Sequence, residues 1–196
     1  MSAVEDDIRR QVKAELRTRM RGVRKALGPQ ARGARSEKIA ERVLALPAWQ
    51  SARTVMLFVS MPLEVDTTPL ERAARAAGKR IAAPRMNETG LEVRAWDDGM
   101  SIELTGRMQV PEPPVTAELV PEPSVDLVIV PALALDERGA RIGYGAGLYD
   151  GMLPRLTGAR RVGVCFDFQL VAEVPETRGD ERVHVVVTDQ RTIEIA

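Results

Sequence analysis

The chain has 196 residues, of which 44% are hydrophobic and 29% are charged, a balance typical of a soluble globular protein. Its 28 basic and 28 acidic side chains give a net charge of zero, which disfavours a general nucleic-acid-binding protein. A single cysteine, Cys165, excludes an internal disulfide and a thiolate metal cluster. A single histidine, His184, disfavours a histidine-based zinc site and a Ser-His-Asp triad.

No membrane or export segment is predicted. The first ten residues, MSAVEDDIRR, lack the apolar core of a signal peptide. The longest apolar run, 125–135, is too short to span a bilayer. We therefore expect a cytoplasmic protein.

Two helices are predicted at the start of the chain. Residues 5–27 carry apolar side chains at steps of three or four, and the pair Gly28-Pro29 ends the pattern. The members of this pattern are Ile8, Val12, Leu16, Met20, Val23 and Leu27. A second helix is predicted over 36–46, with Ser36 as its N-cap and with Ile39, Val43 and Leu44 facing inward.

Strands and a helix follow. The run TVMLFVS, 54–60, is continuously apolar, which predicts a strand buried on both faces. Residues 67–79 begin with a threonine cap and a proline and end near a glycine, which predicts a helix. RIAAPR, 80–85, is predicted to be a short second strand, and the alternating LEVRAW, 91–96, a strand nearer an edge of the sheet.

The C-terminal part repeats this alternation. VDLVIVPALAL, 125–135, is the strongest predicted strand, and a short helix is predicted over 149–156. RRVGVCF, 160–166, predicts a further strand. VHVVVTD, 183–189, and RTIEIA, 191–196, predict a terminal hairpin.

One segment interrupts the alternation. Residues 97–124 hold five prolines without any period, which predicts an ordered connection rather than a helix. Because strands and helices alternate in the same style on both sides, we expect a single α/β domain over 1–196. It would have three layers, α/β/α, around a mainly parallel sheet, with the N-terminal helices of residues 5–50 packed on it.

The stretch ARIGYGAGLYDG, 140–151, has glycine at three alternate positions, 143, 145 and 147. Bare backbone at a strand-to-helix junction can form a nest of N–H groups for phosphate oxygens. Asp150 could cap the helix or hold a divalent cation that bridges phosphates. The spacing matches neither the P-loop nor the G-x-G-x-x-G pattern, so a glycine-rich turn needed for packing remains the alternative.

A longer segment around these glycines, DERGARIGYGAGLYD, closely resembles the signature of the 5-formyltetrahydrofolate cyclo-ligase family. In that family a D-x-x-G turn leads into R-x-G-x-G-x-G-Y-Y-D. Other segments fall in the family's order and spacing, namely VKAELRTRMR, SMPLEVDTTPL, AAPRM, QVPEP and CFDFQLVAEVPETRGDERVHVVVTD. The match covers nearly the whole chain, and several such segments in order are specific.

The resemblance implies a fold and a reaction. The fold would be similar to the NagB/RpiA/CoA-transferase type. The reaction would be the ATP- and Mg²⁺-dependent cyclisation of 5-formyltetrahydrofolate to 5,10-methenyltetrahydrofolate, with release of ADP and phosphate. The formyl oxygen is a poor leaving group, and phosphorylation by ATP would make it leave as phosphate when N10 attacks and closes the ring. Catalysis would depend on positioning of the reactants and on charge stabilisation. The resemblance implies no nucleic-acid or membrane partner, and we expect a monomer, with a dimer as the alternative.

The resemblance also assigns roles to individual residues. The ATP-binding set would be Lys13, Arg17, Arg141, Ile142, Gly143, Tyr144, Gly145, Ala146, Gly147, Leu148 and Tyr149. The folate-binding set would be Phe58, Val59, Glu64, Met108, Tyr144 and Gly145. Arg141, Tyr144 and Tyr149 would act at the reacting groups, and Asp150 and Asp180 would bind Mg²⁺. The carboxylate of Glu64 could accept two N–H bonds from the pterin.

Four positions depart from the family's pattern. Leu148 stands where the first tyrosine of the pair is usual, and Gly179 replaces the histidine of a His-Asp pair. His184 replaces a later acid, and Met108 replaces an aromatic residue before the QVPEP segment. Two alternatives therefore stay open, a non-catalytic folate- or nucleotide-binding protein, and an enzyme of the sugar-phosphate isomerase or CoA-transferase type. Folate binding without ATP turnover would indicate the first, and activity without ATP the second.

Overall fold

The computed structural model describes residues 3–106 and 109–195 of the chain. The helices are α1 (Ala3–Ala26), α2 (Pro29–Leu44), α3 (Pro47–Ser51), α4 (Thr68–Ala76) and α5 (Leu148–Met152). The strands of the main sheet are β1 (Thr54–Met56), β2 (Arg80–Asn87), β3 (Gly90–Ala95), β6 (Leu127–Pro131), β9 (Arg160–Val164), β10 (Val185–Val187) and β11 (Thr192–Glu194). Two further pairs are β4 (Glu103–Thr105) with β5 (Val110–Glu112), and β7 (Ala134–Leu135) with β8 (Arg141–Ile142).

Within the described residues the main sheet has seven strands in the order β11-β10-β9-β6-β1-β2-β3. The five inner strands run parallel to one another, while the edge strands β3 and β11 pair antiparallel with β2 and β10. The predicted α/β class, the edge position of 91–96 and the terminal hairpin are therefore confirmed. The domain boundary 1–196 stays a prediction.

Two apolar layers cover the sheet, because successive side chains of a strand point to opposite faces. Val55 packs in the cluster that α2, α3 and α4 cover, whereas Met56 packs in the cluster that contains Met152 of α5. Both residues are fully buried. Full burial of such a side chain stabilises the fold by roughly 1.5–3 kcal/mol.

Two predicted strands are shorter than the apolar runs that suggested them. The predicted strand 54–60 ends at Met56, although the Leu57 amide still donates to the Ala82 carbonyl at 2.9 Å. Beyond this point the chain folds into a loop that the Ser60 hydroxyl closes by donating to the Val65 carbonyl at 2.9 Å.

The predicted strand 125–135 divides between two sheets. Strand β6 ends at Pro131, which has no amide hydrogen to donate to the ladder. The chain then leaves the main sheet, and β7 pairs with β8 in a separate ribbon. Both pieces are buried, which explains why the sequence reads as one apolar run.

The predicted N-cap of the second helix is also wrong. Helix α2 begins at Pro29, because proline is well tolerated in the first turn of a helix, so the pair Gly28-Pro29 both ends α1 and starts α2. Ser36 lies inside α2, where its hydroxyl accepts a hydrogen bond from the Asp66 amide at 3.0 Å. The serine therefore ties the helix to the loop after β1.

Helix α1 packs beside the sheet against β7. The exposures of Ile8 and Val12 are 58% and 38%, so only part of the apolar pattern that predicts this helix lies on its buried face. Met20 of the pattern is buried, but the other buried side chains of α1 are Lys13 and Arg24. No helix among the described residues is long and apolar enough to cross a membrane.

Residues 97–106 and 109–124 form the expected connection, and they include the paired strands β4 and β5. In this pair Glu103 lies opposite Glu112. The Val120 amide then donates to the Val93 carbonyl at 2.9 Å, so the end of the connection covers the free edge of β3. Covering an edge strand in this way protects it from pairing with other chains.

Candidate active site

A cavity of about 440 Å³ opens at the carboxyl ends of the parallel strands. Phe58 after β1, Pro84 of β2 and Pro131 of β6 line it. The chain continues from β1 to β2 on one side and from β6 to β9 on the other, so the cavity lies where the strand order reverses. Open α/β sheets bind their ligands at such switch points.

Every predicted site residue in the described part of the chain lines this one cavity. They are Lys13, Arg17, Phe58, Val59, Glu64, Asp180 and all residues from Arg141 to Asp150. The prediction for Met108 falls outside the described residues. The fold thus brings the predicted residues together, while their individual roles stay predictions.

The glycine loop, residues 143–147, joins β8 to α5. Gly145 has φ +110° and Gly147, the N-cap of α5, has φ +68°, conformations that side-chain-bearing residues rarely adopt. A Cβ on Gly145 would lie 3.4 Å from the guanidinium carbon of Arg17, and Arg17 Nε donates to the Gly143 carbonyl at 3.0 Å. Bare backbone here lets α1 approach the loop. Because α5 has only five residues, its dipole is small, and an anion would depend on the loop amides and nearby cations.

One ion pair joins α1 to the segment before β10. Lys13 is only 6% exposed, and its Nζ donates to the Thr177 hydroxyl at 3.0 Å and to the Asp180 carboxylate. The same carboxylate accepts the Thr177 amide at 2.6 Å. A buried lysine needs such partners, because an unpaired buried charge is strongly unfavourable.

A second ion pair lies within the glycine segment. Arg141 Nη2 donates to Asp150 Oδ1 at 2.7 Å, and the Glu181 amide donates to the same oxygen at 3.1 Å. The Arg141 guanidinium also lies over the Tyr149 ring, 5.6 Å from its centroid. Burial lowers the pKa of Arg141, and the negative charges of Asp150 and Asp180 oppose this shift. Both aspartates therefore act electrostatically on one guanidinium.

The two aspartates suit a metal that arrives with a polyphosphate. Protein-bound Mg²⁺ commonly uses one or two carboxylates and completes its shell with phosphate oxygens and water. Asp150 and Asp180 supply two such carboxylates in the lining of one cavity. Among the residues that the structure describes, no group of three or more His, Cys, Asp or Glu side chains could hold a metal by itself.

Glu64 lies in the loop after β1 and is 7% exposed. Its Oε1 accepts a hydrogen bond from the Tyr144 hydroxyl at 2.9 Å, and its Oε2 accepts one from the Met61 amide at 2.9 Å. Burial raises the pKa of Glu64 above its ordinary value. Burial, with the adjacent Glu64, also raises the pKa of Tyr144 to about 12. The tyrosine is therefore a hydrogen-bond donor rather than a base.

Sequence reasoning missed Arg24, which organises this pair from α1. Arg24 Nη1 donates to the Tyr144 hydroxyl at 3.3 Å, and its Nε donates to the Leu63 carbonyl at 2.7 Å. Leu63 has φ +74°, an unfavourable conformation for leucine that the surrounding contacts must hold. The spacing could have indicated Arg24, since Lys13, Arg17 and Arg24 follow one another at helical steps of four and seven.

The fold and the cavity define a parallel-sheet α/β protein with a cation-lined ligand site at a glycine loop. The family model for the 5-formyltetrahydrofolate cyclo-ligase family matches residues 9–189, and the chain belongs to this family. The resemblance found in the sequence motifs is thereby confirmed, and so is the prediction of an enzyme.

Named relatives span almost the same length. 5-Formyltetrahydrofolate cyclo-ligase from Escherichia coli K12 is 31% identical over 176 residues, which cover 87% of this chain and 97% of the relative. The enzyme of the same name from Mycolicibacterium smegmatis is 30% identical, with coverages of 92% and 95%. The NMR structure of 5,10-methenyltetrahydrofolate synthetase from Aquifex aeolicus superposes with a TM-score of 0.83 at 30% identity, covering 94% of this chain and 93% of that one.

Proposed function

We propose that the protein catalyses the ATP- and Mg²⁺-dependent closure of 5-formyltetrahydrofolate to 5,10-methenyltetrahydrofolate, with release of ADP and phosphate. One observation carries the proposal beyond family membership. Residues as far apart in the chain as Lys13 and Asp180 meet in the cavity that also holds Glu64 and the glycine loop. A reaction that joins a nucleotide, a metal and a folate requires such convergence, because its rate depends on positioning.

The cations around the glycine loop would bind the ATP phosphates. Lys13, Arg17 and Arg141 line the cavity beside the loop, and their charges would stabilise a polyphosphate bound there. Arg141 is planar and can contact two phosphate oxygens at once. The loop amides would add donors where no side chain intervenes.

Asp150 and Asp180 would hold the metal. Mg²⁺, when bound, would supply positive charge that stabilises the transferred phosphoryl group. Each aspartate is now paired with a cation, Asp150 with Arg141 and Asp180 with Lys13. On binding of the nucleotide, the cations would turn to phosphate oxygens and the carboxylates to the metal, so that no charge is left unpaired.

The reacting groups would meet beside Tyr144. The γ-phosphoryl group would pass from ATP to the formyl oxygen, and ADP would leave. N10 would then attack the formyl carbon, the bond from carbon to the phosphorylated oxygen would break, and N10 would lose its proton. Tyr144, as a donor held by Glu64 and Arg24, would orient the formyl region, and Arg141 would stabilise the transferred charge.

A protein that binds folate or nucleotide without turnover is the second candidate. One observation favours it, because Leu148, which stands at a usual tyrosine of the family motif, lines the cavity. His184, the other departure near the end of the chain, does not line the cavity; it directly precedes β10 and accepts a hydrogen bond from the Arg161 amide of β9 at 3.2 Å. The expected cytoplasmic location and monomeric state stay predictions.

Absorbance at the methenyl chromophore tests the proposal directly. Purified protein is mixed with 5-formyltetrahydrofolate, ATP and Mg²⁺, and near-ultraviolet absorbance is followed, with ATP and Mg²⁺ each omitted in parallel. The expected result is a signal that requires both. A folded protein that gives no signal but binds the folate in calorimetry would support the binding protein instead.

A further inference from the structure

A second buried carboxylate lies in the cavity, and none of the predicted roles uses it. Glu112 ends strand β5 and is only 3% exposed. Its Oε1 accepts a hydrogen bond from the Met86 amide at 3.2 Å. Its Oε2 is buried and has no hydrogen-bond partner among the described residues. A buried carboxylate oxygen without a donor is unfavourable, and Glu112 lines the ligand cavity, so a ligand bound there is one source of the missing donor.

Glu64 is less open to a ligand. Both of its oxygens already accept a hydrogen bond, from Tyr144 and from the Met61 amide. Arg24 adds a positive charge close by. Of these two cavity carboxylates, Glu112 is therefore the one with an unoccupied oxygen.

The surroundings of Glu112 differ from those of the glycine loop. We call Met86, Leu91, Val110 and Glu112 the hairpin end of the cavity, and Lys13, Arg17, Arg141, Asp150 and Asp180 the loop end. Glu112 accepts its hydrogen bond from the Met86 amide of β2, whereas Asp180 is paired with Lys13 of α1 and Asp150 with Arg141 of β8.

The apolar side chains and the carboxylate of the hairpin end favour one chemical class of ligand group. A negative charge at the hairpin end repels phosphate groups and carboxylates, which the loop end attracts. A flat ring with adjacent N–H donors fits, because a carboxylate accepts two parallel N–H bonds well. Adenine fits worse, since its amino group is flanked by ring nitrogens that are acceptors.

We propose that Glu112 is a specificity-determining residue that accepts hydrogen bonds from the N3–H and 2-amino edge of the reduced pterin. The inference rests on the proposed function, because the pterin is its substrate. Glu112 would bind the pterin edge that the family resemblance assigns to Glu64, while Glu64, whose two oxygens already accept hydrogen bonds, would hold Tyr144 nearer the formyl group. The ring would lie over Met86 and Leu91, and its anionic parts would point away from Glu112.

The variant Glu112→Gln tests the proposal with little change in shape. Glutamine can keep the bond from the Met86 amide, but it places an NH₂ donor where the open oxygen was. We expect the KM for 5-formyltetrahydrofolate to rise about tenfold or more, as for loss of a hydrogen bond to a charged acceptor. The KM for ATP should change by less than about twofold. Glu103→Gln is the matched control, because Glu103 of β4 lies opposite Glu112 but outside the cavity lining.

The outcomes separate this inference from the proposed function. An unchanged folate KM in folded Glu112→Gln overturns the role of Glu112, and an equal rise in the KM for ATP overturns the assignment to the pterin. Where the wild-type protein has no turnover, the proposed function fails, and calorimetric titration with 5-formyltetrahydrofolate alone replaces KM. Weaker folate binding by Glu112→Gln than by wild type then supports the inference. Equal binding, or no binding by either, overturns it.

Discussion

The two ends of the cavity differ in whether their charged side chains have partners. At the loop end, buried or half-buried charges stand in opposite pairs, Lys13 with Asp180 and Arg141 with Asp150. At the hairpin end, Glu112 has an oxygen without any partner among the described residues. Paired charges can exchange partners without exposing a bare charge, which suits a ligand that brings both phosphates and a metal. A single open acceptor suits a neutral ring that brings donors.

The largest effect is expected at the loop end, for Asp150→Ala. Loss of a metal-binding carboxylate removes charge stabilisation worth several kcal/mol in the transition state, so we expect kcat to fall by about 10³-fold or more. The variant also leaves Arg141 and the Glu181 amide without their acceptor. Initial rates at saturating ATP and folate measure the change.

The control for this variant should also remove one negative charge, but at a residue that does not line the cavity. Asp98→Asn serves, because the Asp98 side chain is exposed near the start of the proline-rich connection. Circular dichroism and thermal melting should show that Asp150→Ala is folded. A folded Asp150→Ala protein with undiminished rate would remove the metal assignment and, with it, the reason for the pairing at the loop end.

The next effect is expected for Lys13→Met, which removes a phosphate-binding cation and leaves Asp180 without its lysine. We expect the KM for ATP to rise by roughly 10- to 100-fold, as for loss of a charge-assisted hydrogen bond from a buried side chain to phosphate. The KM for folate should rise much less, because Lys13 lies at the loop end. Steady-state kinetics with each substrate varied in turn separate the two values.

Lys25→Met is the matched control, since Lys25 lies on the exposed side of the same helix. The double variant Lys13→Met with Asp180→Asn tests the pairing itself. Because the two residues share one ion pair, their effects on stability should not add. Strictly additive effects would show that the pair is not coupled in the protein.

The sequence predicts the fold better than it predicts which side chains are buried. Continuous apolar strands and intervening helices are sufficient for the mainly parallel sheet, because burial on both faces requires such strands. In α1 the same reasoning finds the helix but only part of its inner face. That face also carries Lys13 and Arg24, which are buried because Asp180 neutralises Lys13 and the Leu63 carbonyl accepts a hydrogen bond from Arg24. Hydrophobic periodicity contains no information about such partners.

The site residues also fall into two groups, those that the sequence predicts and those that only the structure reveals. The glycine segment, Asp150 and Glu64 could be found because local motifs preserve order and spacing. Glu112 and Arg24 could not be assigned, because their properties depend on contacts across the chain, with the Met86 amide and with the loop of Leu63. A buried acceptor without a donor can be recognised only once its surroundings are known.

A smaller and more selective effect is expected for Glu64→Ala, between the two ends. The substitution removes the acceptor of the Tyr144 hydroxyl, which in the proposed function orients the formyl region of the folate. We expect the folate KM to rise about tenfold, and the KM for ATP by less than about threefold. Glu41→Ala, on the exposed face of α2, is the control. Equal rises in both KM values would count against a selective role of Glu64 in folate binding.

The smallest effect is expected for Glu64→Gln, measured as stability rather than rate. Burial raises the pKa of Glu64 above its ordinary value of 4.5, so the folded protein holds this proton more tightly than the unfolded chain. As pH rises above 4.5, the unfolded chain loses its proton first, and ionisation of Glu64 then works against folding. Glutamine removes that penalty, so the variant should melt at a slightly higher temperature than wild type at pH 7, and the difference should shrink as pH falls below 4.5.

Such a gain in stability with a loss of folate affinity would mean that Glu64 is retained for binding and not for folding. Thermal melting of both proteins at pH 7 and at pH 4, alongside Glu41→Gln, gives the comparison. If Glu64→Gln melts lower than wild type at neutral pH, the Tyr144 and Arg24 contacts outweigh the burial of the charge. Glu64 would then resemble the paired aspartates of the loop end, and Glu112 alone would mark the hairpin end as a site for a donor-bearing ring.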